Sequence, residues 1–347
     1  MLQQFDQPVN VRGHDVPLPL DATTNCYAAR TLQYSEASSN SAAFEGCDLE
    51  YTQLSAERYH CDSHEVVLDG VRLFHETANA TVHRLGLAWA NSYIFAIPCQ
   101  MVQSGRANGR IWFRTIGAFR GEDELNVVVP PMTLLVASIS RSVFGEYMST
   151  VEHSMAADWF THGIQLVGDA CQVSRLSETL SALLGACCAQ PAILAFPQAR
   201  ASIMHALLDA LSPLVLESNA LEASPSIRLD RAKIVRKARE FALEKIDEPL
   251  QVIDICRAIG VSRRALQYSF QDVVGVNPVA YLRLLRLNGA RRDLVNARGA
   301  LQVKDVASRW GFWHWSRFSA EYRQMFNELP SETLHRVSSG SSRDRIN

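Results

Sequence analysis

The chain lacks the patterns by which a sequence declares export, a membrane span or a phosphate loop. Its start, Met1-Leu2-Gln3-Gln4-Phe5-Asp6-Gln7-Pro8, has no basic stretch followed by an apolar one. No export signal is read there, and a cytoplasmic location is expected. No apolar run approaches the ~18 residues of a membrane span, so no membrane partner is expected. None of the eight cysteines stands in a C-x-x-C pair. Cys26, Cys47, Cys61, Cys99, Cys171, Cys187, Cys188 and Cys256 are read as buried free thiols in a reducing compartment. The adjacent Cys187-Cys188 pair has no basic cluster nearby to lower a thiol pKa, which argues against a redox sensor. The segment Ser104-Gly105-Arg106-Ala107-Asn108-Gly109-Arg110 has glycines but no Walker lysine, and reads as a hairpin tip.

What the chain does have is an uneven charge. Its net charge of −2 over 347 residues conceals a split near Ile227. Residues 1–227 hold 12 Lys and Arg against 23 Asp and Glu, a net −11; residues 228–347 hold 22 against 13, a net +9. A basic domain is the electrostatic footprint of phosphate contact. The acidic part is expected to point away from DNA.

The fold expected is α+β in two parts. Residues 1 to about 40 read as irregular, with Pro17, Pro19 and Ser35–Ser41. Short strands follow, among them Glu65–Leu68, Val71–Phe74, Ser92–Ile97 and Arg110–Phe113, with a hairpin signal at Asp69-Gly70, and several short strands at short spacing suggest a sandwich or barrel. Helical spacing takes over after about Thr150, at Leu176–Cys188 and Ala199–Leu216, with breaks at Gln190-Pro191 and Phe196-Pro197. The boundaries are therefore 1–150 for a β-rich domain, 151–220 for a helical segment, 221–229 for a linker, 230–336 for an all-α domain and 337–347 for a disordered tail.

Two segments repeat, Gln251–Val261 and Gln302–Phe312. Gln, Val, Asp and Gly recur, and Ile255/Val306, Cys256/Ala307, Ile259/Trp310 and Val261/Phe312 match in character. In each copy one apolar helix face is followed by a glycine where the chain turns through positive φ, at Gly260 and Gly311. Ser262 caps the next helix. Leu266 and Phe270 hold that helix to the core, and Phe318 and Tyr322 do so in the second copy. That second pair falls one position later than the repeat alone would put it, so the second turn is one residue longer. Between the copies, Asn277-Pro278 starts a helix running to about Ala297, long enough to separate two recognition helices by about one DNA turn, ~34 Å.

Residues 230–335 resemble the DNA-binding domain of the AraC/XylS family. The resemblance rests on both motifs and their spacing, on Gly275-Val276-Asn277-Pro278, and on the series Gly311-Phe312, Phe318-Ser319, Tyr322-Arg323, Phe326 and Pro330. Where the family has Gly after the last aromatic, this chain has Asn327, which also tolerates the left-handed turn. Leu334-His335 stands where the family often ends on an aromatic-Arg pair. With Leu266 and Phe270 inward, Arg263, Arg264, Gln267 and Tyr268 face out, and the resemblance places Arg264, Gln267 and Tyr268 at base-contacting positions. Arg can bond guanine and Gln adenine in the major groove. In the second motif Trp315, Ser316 and Arg317 are the exposed candidates, with Arg317 the best base reader. Trp313 is read as supporting the turn and Glu321 as an awkward anion for DNA. Arg283, Arg286, Arg291 and Arg292 are open to phosphate contact or salt bridges.

For residues 1–220 the resemblance implies a β-barrel, cupin-like sensor with a helical dimerisation segment. Double-stranded DNA, a homodimer partner, a small-molecule effector and RNA polymerase are the expected partners. His60, His64, His75 and His83 lack the H-x-H…E spacing of metal-binding cupins, so no metal, cofactor or catalytic residue is assigned and no enzyme is expected. The alternatives are an enzyme fused to a DNA-targeting module, or an architectural binder without sequence preference.

Overall fold

The computed structural model describes residues 27–42, 46–154, 159–160, 163–218, 226–248, 250–297 and 301–343. Most of the proposed irregular entry and of the linker, and residues 344–347 of the proposed tail, lie outside the described residues.

Among the described residues twelve strands form the first part: β1 Ala28–Tyr34, β2 Asp48–Gln53, β3 Cys61–Leu68, β4 Val71–Ala78, β5 Val82–Leu87, β6 Ser92–Gln100, β7 Gly105–Ala107, β8 Arg110–Trp112, β9 Ile116–Arg120, β10 Leu125–Val129, β11 Met132–Ser140 and β12 Gln165–Val167. A short helix, α1 Ala37–Ala42, separates β1 from β2. The strands pair antiparallel in two sheets, a seven-stranded one in the order β1-β3-β4-β11-β6-β9-β12 and a five-stranded one in the order β2-β5-β10-β7-β8. Of the sandwich and the barrel suggested by the strands, the structure forms two stacked sheets that do not close on each other, which corrects the cupin-like barrel that the resemblance implies. Strand β12 also lies in the stretch read from sequence as helical, paired with β9. The Asp69-Gly70 hairpin is present, with Gly70 at φ +75 and Leu68 opposite Val71.

Alternation along the strands builds three layers. On β11, Leu135, Ala137 and Ile139 face a cluster with helices, whereas Met132, Leu134 and Val136 face the other sheet. A period of two can serve two cores only in a strand buried on both faces. The helices are α2 Arg141–Thr150, α3 Ala170–Ala189 and α4 Pro197–Ser218, with a 3₁₀ turn at Pro191–Ala195 where the prolines predict a break. They cover the outer face of the seven-stranded sheet through Phe144, Leu176, Leu180, Leu184, Leu207 and Leu211. Helix α4 corrects the reading of apolar run lengths, since Pro197–Leu216 is long and apolar enough to cross a membrane. Leu207, Leu208, Leu211, Leu214 and Val215 bury it in the domain core instead. Among the described cysteines Cys61, Cys187 and Cys256 are buried as expected, but Cys171 is exposed.

The helical part comprises α5 Ser226–Glu244, α6 Val252–Ile259, α7 Arg263–Val273, α8 Pro278–Val295, α9 Val303–Arg309, α10 Trp315–Phe326 and α11 Pro330–Arg343. Helix α11 extends into the stretch read from sequence as tail. The outer face of the five-stranded sheet is the dock for these helices. Leu125, Val127 and Val129 of β10 point inward between the sheets, and Val128 joins the core of α5, α6, α7 and α8. Asn288 of α8 bonds both backbone groups of Gln53, at 3.0 Å each.

The charge split is partly spent here. Glu50 pairs with Arg239, Glu124 with Arg236 and Glu36 with Arg291. The acidic part does not simply point away from the basic one, because these three carboxylates face it.

Candidate nucleic-acid interface

The first unit is α6 and α7. Asp254 accepts from the Gln251 backbone N–H at 2.9 Å and closes the N-terminus of α6. Gly260 adopts φ +70, and the Val261 N–H reaches back to the Cys256 carbonyl at 3.0 Å, which ends the helix. Ser262 then caps α7 by accepting from the Ala265 N–H at 3.1 Å. Leu266 and Phe270 are wholly buried. That leaves Arg263, Arg264, Gln267 and Tyr268 together on the exposed face of α7, as the spacing predicts. The Arg264 guanidinium lies 5.4 Å from the Tyr268 ring centroid and within 3.4 Å of its hydroxyl.

The second unit repeats the device. Gly311 is at φ +71 and the Phe312 N–H bonds the Ala307 carbonyl at 2.9 Å. Helix α10 begins one residue later than α7 does, and His314 at its N-cap makes no side-chain cap bond. Phe318 and Tyr322 are wholly buried, and Trp315, Ser316 and Arg317 are exposed. Trp313 is 63 % exposed, so it does not support the turn by burial. Indole packing comes instead from Trp310, whose Nε1 donates to Asp293 at 2.9 Å and whose ring lies against Gly289 of α8. Asn327 takes φ +56 and ends α10 in the left-handed turn expected of it.

Helix α8 joins the units. Asn277 caps it at the Ala280 N–H, 2.9 Å away, with Pro278 in the first turn. Its 18 residues span ~27 Å at the helical rise. Tyr281 packs on Phe270 of the first unit, and Arg291 stacks on Phe326 of the second. The four arginines left open by sequence now separate. Arg291 is buried in an ion pair with Glu36 and cannot contact phosphate in this arrangement. Arg292 lies over Trp310, and Arg286 donates to the Glu248 carbonyl at 2.9 Å. Arg283 pairs with Glu321. Between the two units a groove of about 780 Å³ is lined by Arg263, Arg283, Arg286, Arg317, Trp313 and Glu321 among others. The sequence reading misses that groove and the role of Glu321 in it. The only advance signal is an acidic residue placed four positions after Arg317.

The four histidines do not converge. His64 and His75 are neighbours across β3 and β4, His60 bonds Asp62, and His83 is buried. His83 lies between the Tyr281 hydroxyl at 3.0 Å and Asn126 Oδ1 at 2.9 Å, and burial lowers its pKa to about 4.

A family model described as a helix-turn-helix domain matches residues 255–336. The probable thc operon regulatory protein of Rhodococcus erythropolis is 42% identical over 105 residues, which are 30% of this chain and 32% of that protein. The chain thus spans about a third of the length of that curated relative. The XylDLEGF operon transcriptional activator 2 of Pseudomonas putida is 28% identical over 141 residues, 40% of this chain and 85% of that one. A crystal structure of a transcriptional regulator from Chromobacterium violaceum, described as containing an AraC-type DNA-binding domain, is 32% identical, with 30% of this chain and 92% of that one covered and a TM-score of 0.29. Through its two helix-turn-helix units, the chain belongs to the AraC/XylS family of transcriptional regulators.

Proposed function

We propose that the protein is a sequence-specific, DNA-binding transcription regulator whose two units read successive major grooves. One observation carries this reading: α7 and α10, in two units joined by α8, each bury one apolar face and leave a polar face with an arginine in solvent. Arg264 and Gln267 are the chief base readers of the first unit and Arg317 of the second, with Arg263, Tyr268, Trp315 and Ser316 beside them. Phosphate attraction comes from the basic groove between the units.

Residues 1–220 supply dimerisation and effector sensing. The faces of α3 and α4 turned away from the sheet support a two-fold contact, which paired half-sites favour. An apolar cavity of about 60 Å³ between the sheets, lined by Tyr51, Arg84, Trp89, Trp112 and Phe119, is smaller than a small-molecule site of roughly 300 Å³ or more, so sensing there requires the sheets to open around the effector. Work in the cytoplasm beside RNA polymerase follows from the same reading.

The test is selection of duplexes from a randomised library by the full chain, followed by titration at several salt concentrations. Discrimination between selected and random duplexes at every salt is expected. Its absence at every salt refutes the proposal. Arg264→Ala should relax selectivity at one base position; an equal loss on all sequences would assign Arg264 to backbone contact.

A further inference from the structure

We infer that Glu321 is a positioning residue for base recognition: its carboxylate sets Arg317 and Arg283 as a preorganised pair facing DNA. The inference rests on the DNA-binding reading above.

Glu321 is 8% exposed, yet both of its oxygens are engaged from the groove side. Oε2 accepts from Arg283 Nε at 2.6 Å, and Oε1 accepts from Arg317 Nε at 2.7 Å. Arg283 Nη2 also pairs with Oε1. One carboxylate therefore ties the recognition helix of the second unit to the connecting helix.

The way Arg317 is held leaves its reading edge free. It is bound through Nε, and its two terminal nitrogens have no partner among the described residues. Those two nitrogens form the edge that bonds guanine O6 and N7 together. The side chain is 72% exposed, so without Glu321 it would sample many rotamers and lose that freedom on binding. With Glu321 the loss is taken in the free protein. The carboxylate itself is neutralised, since two guanidinium groups share it and the cluster keeps a net positive charge.

The first unit is built differently. With the buried aromatics of the two recognition helices aligned, Ser269 and Ala265 stand where Glu321 and Arg317 stand in the second. There the Ser269 hydroxyl donates to the Ala265 carbonyl at 2.8 Å. The first unit has instead the Ser262 cap, which the second lacks at His314. Each recognition helix is steadied by a different chemistry. The second unit is thereby a base reader in its own right and not only an anchor.

The experiment uses the full chain and duplexes it selects from a randomised library. Wild type, Glu321→Gln, Arg317→Ala, Arg317→Lys and the Glu321→Gln/Arg317→Ala double variant are titrated against the selected duplex and its single-base substitutions. Glu321→Gln should weaken the selected duplex by about tenfold and flatten selectivity at the position Arg317 reads. Beside Arg317→Ala it should cost no further selectivity at that position, because the Arg317 contact is already gone, and the loss that remains through Arg283 should be equal on all sequences. Arg317→Lys, a surface change that keeps charge but loses the fork, should flatten the same position. Three results would overturn the inference: wild-type selectivity at that position in Glu321→Gln, tighter binding to every sequence in Glu321→Gln, or wild-type selectivity in Arg317→Lys. A wild-type chain that does not discriminate selected from random duplexes overturns the DNA-binding reading itself, before any variant is compared.

Discussion

Glu36 of the β-rich part accepts two hydrogen bonds from Arg291 of α8, at 2.5 and 2.8 Å, across 255 residues of sequence. Both side chains are 6% exposed. Glu328 and Arg336 complete the cluster, with Arg291 bridging to Glu328 at 2.9 Å. The second helix-turn-helix unit therefore borrows a buried counter-charge from the other domain. Removing one partner of such a cluster strands a charge away from water. Glu36→Ala should destabilise the full chain by about 3 kcal/mol, read from urea unfolding midpoints. A change under ~0.5 kcal/mol would mean that Glu328 alone neutralises Arg291.

His83 makes the domain contact sensitive to acid. Its Nε2–H donates to Asn126 Oδ1 while Nδ1 accepts from Tyr281, and Tyr281 in turn bonds Arg239. Only the neutral ring satisfies this chain. Burial lowers the pKa to about 4, so between there and the ordinary value near 6.5 the unfolded chain takes up a proton that the folded chain refuses. The contribution is whole above pH 6.5 and is lost as pH falls toward 4. Between pH 6.5 and 5 it should cost about 2 kcal/mol beyond the change seen in a His83→Gln variant. Parallel stability curves for the two proteins over that range would show that His83 does not titrate this way.

Gly289 lies in the interior of α8, where glycine is poor for a helix, and the reason is Trp310. A Cβ at position 289 would come within 2.0 to 2.4 Å of three ring atoms of that indole. The ring is also fixed by its bond to Asp293 and cannot simply turn aside. Gly289→Ala should lower stability by about 1–3 kcal/mol despite alanine's better helix propensity. A rise in thermal midpoint would show that α8 and α9 can separate without cost.

The Ser262 hydroxyl holds the first turn of α7 at its cap. Ser262→Ala should cost about 1 kcal/mol in unfolding free energy. It should also weaken binding of the selected duplex, since the turn that frays carries Arg263 and Arg264. Unchanged binding with reduced stability would place base reading further along the helix, at Gln267 and Tyr268.

The two helix-turn-helix units were legible because each is written in local chemistry. A glycine at positive φ, the start of a new helix and an apolar pair four apart lie close together in the chain, and the second copy repeats them. Asn277-Pro278, Asn327 and the Asp69-Gly70 hairpin could be read for the same reason. Trp313 was misplaced because its neighbours do not reveal which of three nearby indoles fills the core; Gly289, on another helix, makes that choice for Trp310. Strand β12 was missed because so short a segment carries too little periodicity to distinguish a strand from a loop. Glu321 read as an obstacle because the arginine that shares it, Arg283, lies 38 residues earlier.

The sequence by itself determined the turns, the caps, the inward and outward faces of α7 and α10, and the excess of opposite charge in the two parts. Only the tertiary structure decided that the β-rich part is two stacked sheets, because closure depends on which edge strands meet and not on alternation within any one of them. It alone decided which charges are spent between the domains and which remain for DNA. An ion pair forms wherever folding brings two side chains within reach, so Arg291 is withdrawn from solvent by Glu36 while Arg317, held by Glu321, is presented to it.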